Sequence, residues 1–67
     1  MIMAKFIMFD ETVINTDYII CIEKCYSIGD DEPYLIRISV KGSMFYQRFE
    51  TEEERDKEFE KLFELLK

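Results

Sequence analysis

Between residues 34 and 41 the side chains alternate with a period of two. Tyr34, Ile36, Ile38 and Val40 fall on one side, and Leu35, Arg37, Ser39 and Lys41 on the other. That period belongs to a β-strand covered on one face. Gly42-Ser43 follows and fits a two-residue type II′ hairpin turn, with Gly at the first central position where φ is positive. Residues 44–50 then return as the next strand. Upstream, residues 3–9 read as a first strand, Asp10-Glu11-Thr12 as a polar turn and Val13-Ile14 as a short apolar piece. Asn15-Thr16-Asp17 reads as a second turn, because these side chains bond nearby backbone groups. Residues 18–26 are rich in Ile and Tyr and read as strand. Residues 27–33 form an acidic loop ending at Pro33.

From residue 51 the period changes to that of a helix. Thr51-Glu52-Glu53-Glu54 is a capping box, in which the threonine bonds the Glu54 amide while Glu54 reaches back. The acidic first turn and Lys67 at the end suit the helix dipole. Phe59, Leu62, Phe63 and Leu66 fall on one stripe with Leu65 beside it, and Glu53, Lys57, Glu60, Lys61 and Glu64 lie opposite. The expected fold class is α+β: a small antiparallel sheet of four to five strands with one C-terminal helix packed on one face (β4α-like). The chain reads as a single domain, 1–67, with the helix on the even-numbered face of the sheet.

A turn at Gly42-Ser43 sets a register. Lys41 pairs with Met44, Val40 with Phe45, Ser39 with Tyr46, Ile38 with Gln47, Arg37 with Arg48 and Ile36 with Phe49. On residues 18–26, placing Ile20 and Ile22 inside costs less than burying Glu23, since an unpaired buried carboxylate is expensive. The helix-free face then carries Ile19, Cys21, Glu23 and Cys25, next Leu35, Arg37, Ser39 and Lys41, then Met44, Tyr46, Arg48 and Glu50. With Tyr26 opposite Tyr34, Glu23 faces Arg37, which in turn faces Arg48. Like charges directly opposite destabilise a strand pair, so Glu23 is the expected neutralising partner of both arginines. The candidate partner-binding residues are Arg37, Lys41, Tyr46, Arg48 and Glu23.

Composition narrows the chemistry. The chain has 67 residues, 48% hydrophobic and 15% aromatic; that is enough apolar content to fold, although a chain this short buries only about 60% of its unfolded surface. A net charge of -6 disfavours general affinity for nucleic acid or anionic membrane. No apolar run approaches the ~18 residues of a membrane span, and the N-terminus lacks the pattern of a signal peptide. The expected location is cytoplasmic. Histidine is absent, which removes the commonest general base and metal ligand, and no phosphate loop, nucleophile elbow or HExxH pattern occurs. Cys21 and Cys25 on one strand stand about 13 Å apart at ~3.3 Å per residue, beyond disulfide reach. No catalytic residue, metal site or cofactor is expected.

Three functions fit. The first is a small non-catalytic interaction module that binds a protein partner or itself as a homodimer, through the apolar Ile19, Cys21, Leu35, Met44 and Tyr46 on the helix-free face and either Ile7 and Phe9 or Phe6 and Met8 beside them. The second is single-stranded nucleic-acid binding, with Arg37, Lys41 and Arg48 on phosphates and Tyr46 stacked on a base. The expected layout resembles the β4α arrangement of Whirly-type single-strand binders, which implies that use of the sheet. The third is an acidic inhibitor or nucleic-acid mimic of the phage type, acting through Asp30-Asp31-Glu32 and the acidic helix face on a basic partner. The run Ile14-Asn15-Thr16-Asp17-Tyr18-Ile19-Ile20-Cys21-Ile22-Glu23 is similar to a segment of flagellar FlbD-type small proteins, a likeness of turn chemistry over ten residues.

Overall fold

The computed structural model describes residues 5–66; the strand start expected at Met3 and the Lys67 expected at the helix end lie outside them. In chain order the elements are β1 (Phe6–Phe9), β2 (Thr12–Asn15), a 3-10 turn (Thr16–Tyr18), β3 (Ile19–Tyr26), β4 (Tyr34–Val40), β5 (Ser43–Phe49) and α1 (Glu52–Leu66). The fold is α+β with five antiparallel strands and one C-terminal helix.

The strands make two sheets, not the one expected: a β1–β2 hairpin, and a three-stranded sheet ordered β3-β4-β5. The reason lies in what has to be covered. Ile36 and Ile38 on β4 are fully buried and share one core with Leu62 of α1 and with Ile7, Phe9 and Ile14 of the hairpin. A helix is about 10 Å across and three strands at ~4.8 Å spacing are wider once side chains are added, so hairpin and helix share the cover. Ile7 and Phe9 point inward, while Phe6 and Met8 are exposed. The N-terminal strand therefore adds nothing to the helix-free face.

The hairpin turns at Asp10-Glu11. Asp10 has φ 58 and precedes a residue of negative φ, the sign pattern of a type II′ turn, and Asp tolerates this left-handed conformation better than most residues. Asn15 then accepts the Asp17 amide at 2.9 Å, the short-range bond anticipated for the Asn-Thr-Asp turn. Tyr18 belongs to that 3-10 turn rather than to β3.

The turn between β4 and β5 differs from expectation by one position. Val40 pairs with Ser43, so Lys41 and Gly42 are the loop. Gly42 has φ +86 and Lys41 a negative φ, the sign pattern of type II with Gly second. Arg37 consequently faces Tyr46, Leu35 faces Arg48, and Ile36 faces Gln47. Each residue of β4 meets a partner two positions earlier than expected. An even slip keeps every side chain on its face, which is why the core pattern of β4 and β5 survives the error.

β3 carries a second correction. Its register with β4 shifts between Ile19 and Cys21, leaving Ile20 as a bulge. Ile19 and Ile22 pack on the core, whereas Ile20, expected inside, is 69% exposed. Past the bulge the pairs are as expected, with Glu23 opposite Arg37 and Tyr26 opposite Tyr34. The two tyrosine rings meet edge to face at 5.2 Å.

At the start of α1 the Glu54 amide donates to Thr51 Oγ1 at 3.2 Å, and the Thr51 hydroxyl donates to the Glu54 carboxylate at 2.9 Å. The reciprocal contact of the capping box is thus made by two side chains. At the other end Lys5 Nζ donates to the Leu65 carbonyl at 3.1 Å, placing a cation where the dipole favours one. Leu62 is buried and Phe59 partly so, but Phe63 and Leu65 are exposed, so the packed stripe is narrower than the apolar pattern implied. Continued one turn back from Phe59 it reaches Arg55, which is 8% exposed.

Candidate interaction face

The five candidate residues divide into three places. Arg37 sits mid-sheet between Glu23 on β3 and Tyr46 on β5. Its Nε donates to Glu23 Oε1 at 3.0 Å and its Nη2 makes a second bond to the same oxygen. The two groups answer each other. Arg37 bonding holds the Glu23 carboxyl below its usual range, with the guanidinium charge adding to this and the Cys21 thiol contributing at 3.6 Å. Glu23 and Tyr46 raise Arg37 in turn.

Arg48 occupies a second place. It shares the face with Arg37 but stands diagonal to it, opposite Leu35, so the expected arginine-arginine opposition does not arise. Nor is Glu23 its partner. Arg48 Nη1 reaches Asp30 Oδ2 at 3.1 Å and the Glu32 carbonyl at 3.5 Å. The acidic loop is folded for this: Ser27 N donates to the Pro33 carbonyl at 2.8 Å, the Ser27 hydroxyl donates to Asp30, and Gly29 takes φ +90. The Ser27 bond holds the Asp30 carboxyl low against the opposing effect of burial, and Arg48 lowers it further. Leu35, expected on an exposed face, is 7% exposed and outside the main core cluster. Cys25 and Arg48 flank it in the ladder.

Lys41 holds the third place, in the β4–β5 turn and not in the strand. Its amide donates to the Tyr18 carbonyl at 3.4 Å. It lies four residues along from Arg37, roughly 13 Å at strand spacing, and the structure does not gather Arg37, Lys41 and Arg48 into one cationic site. Around that end of the sheet Ile20, Ser39, Val40, Gly42, Ser43 and Met44 line a shallow depression of about 410 Å³. Ile20 and Met44 are exposed there, and Tyr46 is half exposed with its hydroxyl 3.6 Å from Met44 Sδ.

Cys21 and Cys25 are free thiols on β3. Among the described residues no group of three or more Cys, Asp or Glu is placed to hold a metal ion, and no helix is long and apolar enough to cross a membrane.

No family model, curated protein or solved structure matches the chain. The face has to be read from its own chemistry.

Sequence reasoning missed Arg55. From α1 its Nη1 donates to the Cys25 carbonyl at 3.0 Å, its Nε bonds Asp56 at 3.1 Å, its Nη2 lies 3.5 Å from Glu52, and its guanidinium stands 5.3 Å over the Tyr34 ring. Lys24 covers Phe59 at 5.0 Å and reaches Asp56 at 3.2 Å. Burial pulls the Asp56 carboxyl up, but the bonds and charges of Lys24 and Arg55 outweigh it and leave it low. The sequence signal was present: Arg55 stands four residues before Phe59, on the helical stripe.

The lowered carboxyls make the fold acid-sensitive. Glu23, Asp30 and Asp56 all titrate below their usual range, so their ion pairs stabilise the fold fully above the unfolded value of about 4, and this is lost as pH falls through the lower folded values. Loss of net repulsion toward the sequence pI of 4.5 acts the other way. The useful readout is therefore the difference between wild type and Glu23→Gln in urea midpoint. That difference is expected to shrink from neutral pH to about pH 3; a difference independent of pH contradicts the Glu23–Arg37 assignment.

Proposed function

We propose that this chain is a small non-catalytic interaction module that self-associates through the helix-free face of β3–β4–β5. The observation that carries this reading is a face both apolar and electrically settled. Ile20 is 69%, Met44 55% and Tyr46 50% exposed, while Arg37 and Arg48 each hold a carboxylate of the same chain. Desolvating a paired charge next to apolar surface costs less than desolvating a free one, and a face whose two arginines are already paired fits a second copy of itself. The same pairing counts against single-strand nucleic-acid binding, which needs free guanidinium groups for phosphate.

Sedimentation velocity over rising concentration tests the proposal. Wild type is expected to pass from monomer to dimer, and Ile20→Glu or Met44→Glu to stay monomeric with unchanged circular dichroism. A wild type that remains a strict monomer at millimolar concentration overturns it.

A further inference from the structure

We propose that the free edge of β5 accepts an extended segment of a partner protein carrying two adjacent basic residues, added as a fourth strand. The two edges of the three-stranded sheet are unlike. β3 is interrupted by the bulge at Ile20. A bulge spoils an edge for pairing. β5 has none. It runs seven residues without bulge or proline, carries one charge, and pairs only with β4 among the described residues. Counting from the two-residue loop, Val40 and Ser43 form the closing bonded pair, so the amides and carbonyls of Met44, Tyr46 and Arg48 point outward.

A depression of about 390 Å³ marks where a strand would lie. It is lined by Tyr46, Gln47 and Arg48 together with Asp10 and Glu32. Successive strand residues point to opposite faces, so a hollow touching all three runs along the strand's edge. Asp10, from the tip of the hairpin, and Glu32, from the acidic loop, wall it. Among the described residues neither carboxylate has a partner, and Arg48 is already held by Asp30.

Charge selects the occupant. In an added strand two consecutive side chains point to opposite faces, so an adjacent basic pair presents one cation to Asp10 and one to Glu32. Main-chain bonds to the edge supply affinity and these side chains specificity. This chain contains no two adjacent basic residues, so a second copy does not meet the requirement. The site is independent of self-association on the face.

Anisotropy with a fluorescein-labelled Thr-Val-Thr-Arg-Lys-Thr-Val-Thr peptide tests the edge. Saturable binding is expected, weakened at least tenfold by Asp10→Asn with Glu32→Gln, where Asn keeps the left-handed turn accessible. A Glu-Glu peptide, or one N-methylated at alternate residues on the bonding side, is expected to lose at least as much. Amide shifts concentrated at Met44, Tyr46 and Arg48, with affinity unaltered in Ile20→Glu, assign binding to this edge whatever the oligomeric state. Absent binding at millimolar peptide, undiminished binding of both N-methylated phases, or shifts confined to the acidic face of α1 overturn the proposal.

Discussion

Arg55→Met is expected to lower stability by about 2 kcal/mol, the range for a hydrogen-bonded charge whose partners lose it. Methionine keeps most of the apolar stem, so the loss reports the guanidinium. That group ties α1 to the end of β3 through the Cys25 carbonyl, to its own helix through Asp56 and Glu52, and to β4 through the Tyr34 ring. Breaking a fully buried pair costs more, about 3–5 kcal/mol, but the Asp56 and Glu52 side chains are 42% and 65% exposed and recover water. For a domain of this size, stable by about 3–10 kcal/mol, the change moves the melting temperature by roughly 8–16 °C. Thermal unfolding followed by circular dichroism measures it, with the exposed Lys57→Met as a control expected within about 0.5 kcal/mol of wild type. Arg55→Lys is expected to recover only part of the loss, because one ammonium cannot reproduce a fork that meets Cys25, Asp56 and Glu52 at three different nitrogens. An unchanged midpoint in Arg55→Met means that apolar contacts alone dock the helix.

Phe9→Ala is expected to have the larger effect, about 3–5 kcal/mol, enough to abolish a cooperative transition. Phe9 is 1% exposed and belongs to the cluster that joins the hairpin to Ile36, Ile38 and Leu62. Its neighbour Met8, 71% exposed on the outer side of the hairpin, is expected to tolerate alanine within about 0.5 kcal/mol. Urea unfolding of the two variants decides the facing of β1. Should Phe9→Ala fail to fold, Phe9→Leu supplies a measurable intermediate loss. Equal effects at positions 8 and 9 contradict a hairpin packed over the sheet.

The legible parts of the chain are those whose signal is local. The alternation in β4, the apolar stripe of α1, the Thr51–Glu54 cap and the Asn15 turn each rest on residues close together in sequence, and each is present in the structure. The pairing of Glu23 with Arg37 was also readable. It needed only the choice of which β3 face to bury and the assumption that Tyr26 meets Tyr34.

What failed depended on single-residue choices with remote consequences. Gly42 supplies a positive φ at either central position of a two-residue turn, and the choice between them moved Arg48 from Arg37 to Leu35. Ile20 reads as core by alternation, and a bulge turned it outward because Ile19 packs on the core instead. Arg48 found its carboxylate in a loop eighteen residues earlier, a partner that no strand pattern indicates.

By itself the sequence determined β1, β3, β4, β5 and α1 to within a few residues, the inward side of β4, and Leu62 with Phe59 on the packed part of α1, since these follow from backbone period and from residue type. Only the tertiary structure decided that the N-terminal hairpin lies over the sheet instead of extending it, that Arg55 is buried, and that among the described residues β5 pairs on one side only. Those outcomes depend on how much surface one helix can cover, and that is a property of the assembled layers.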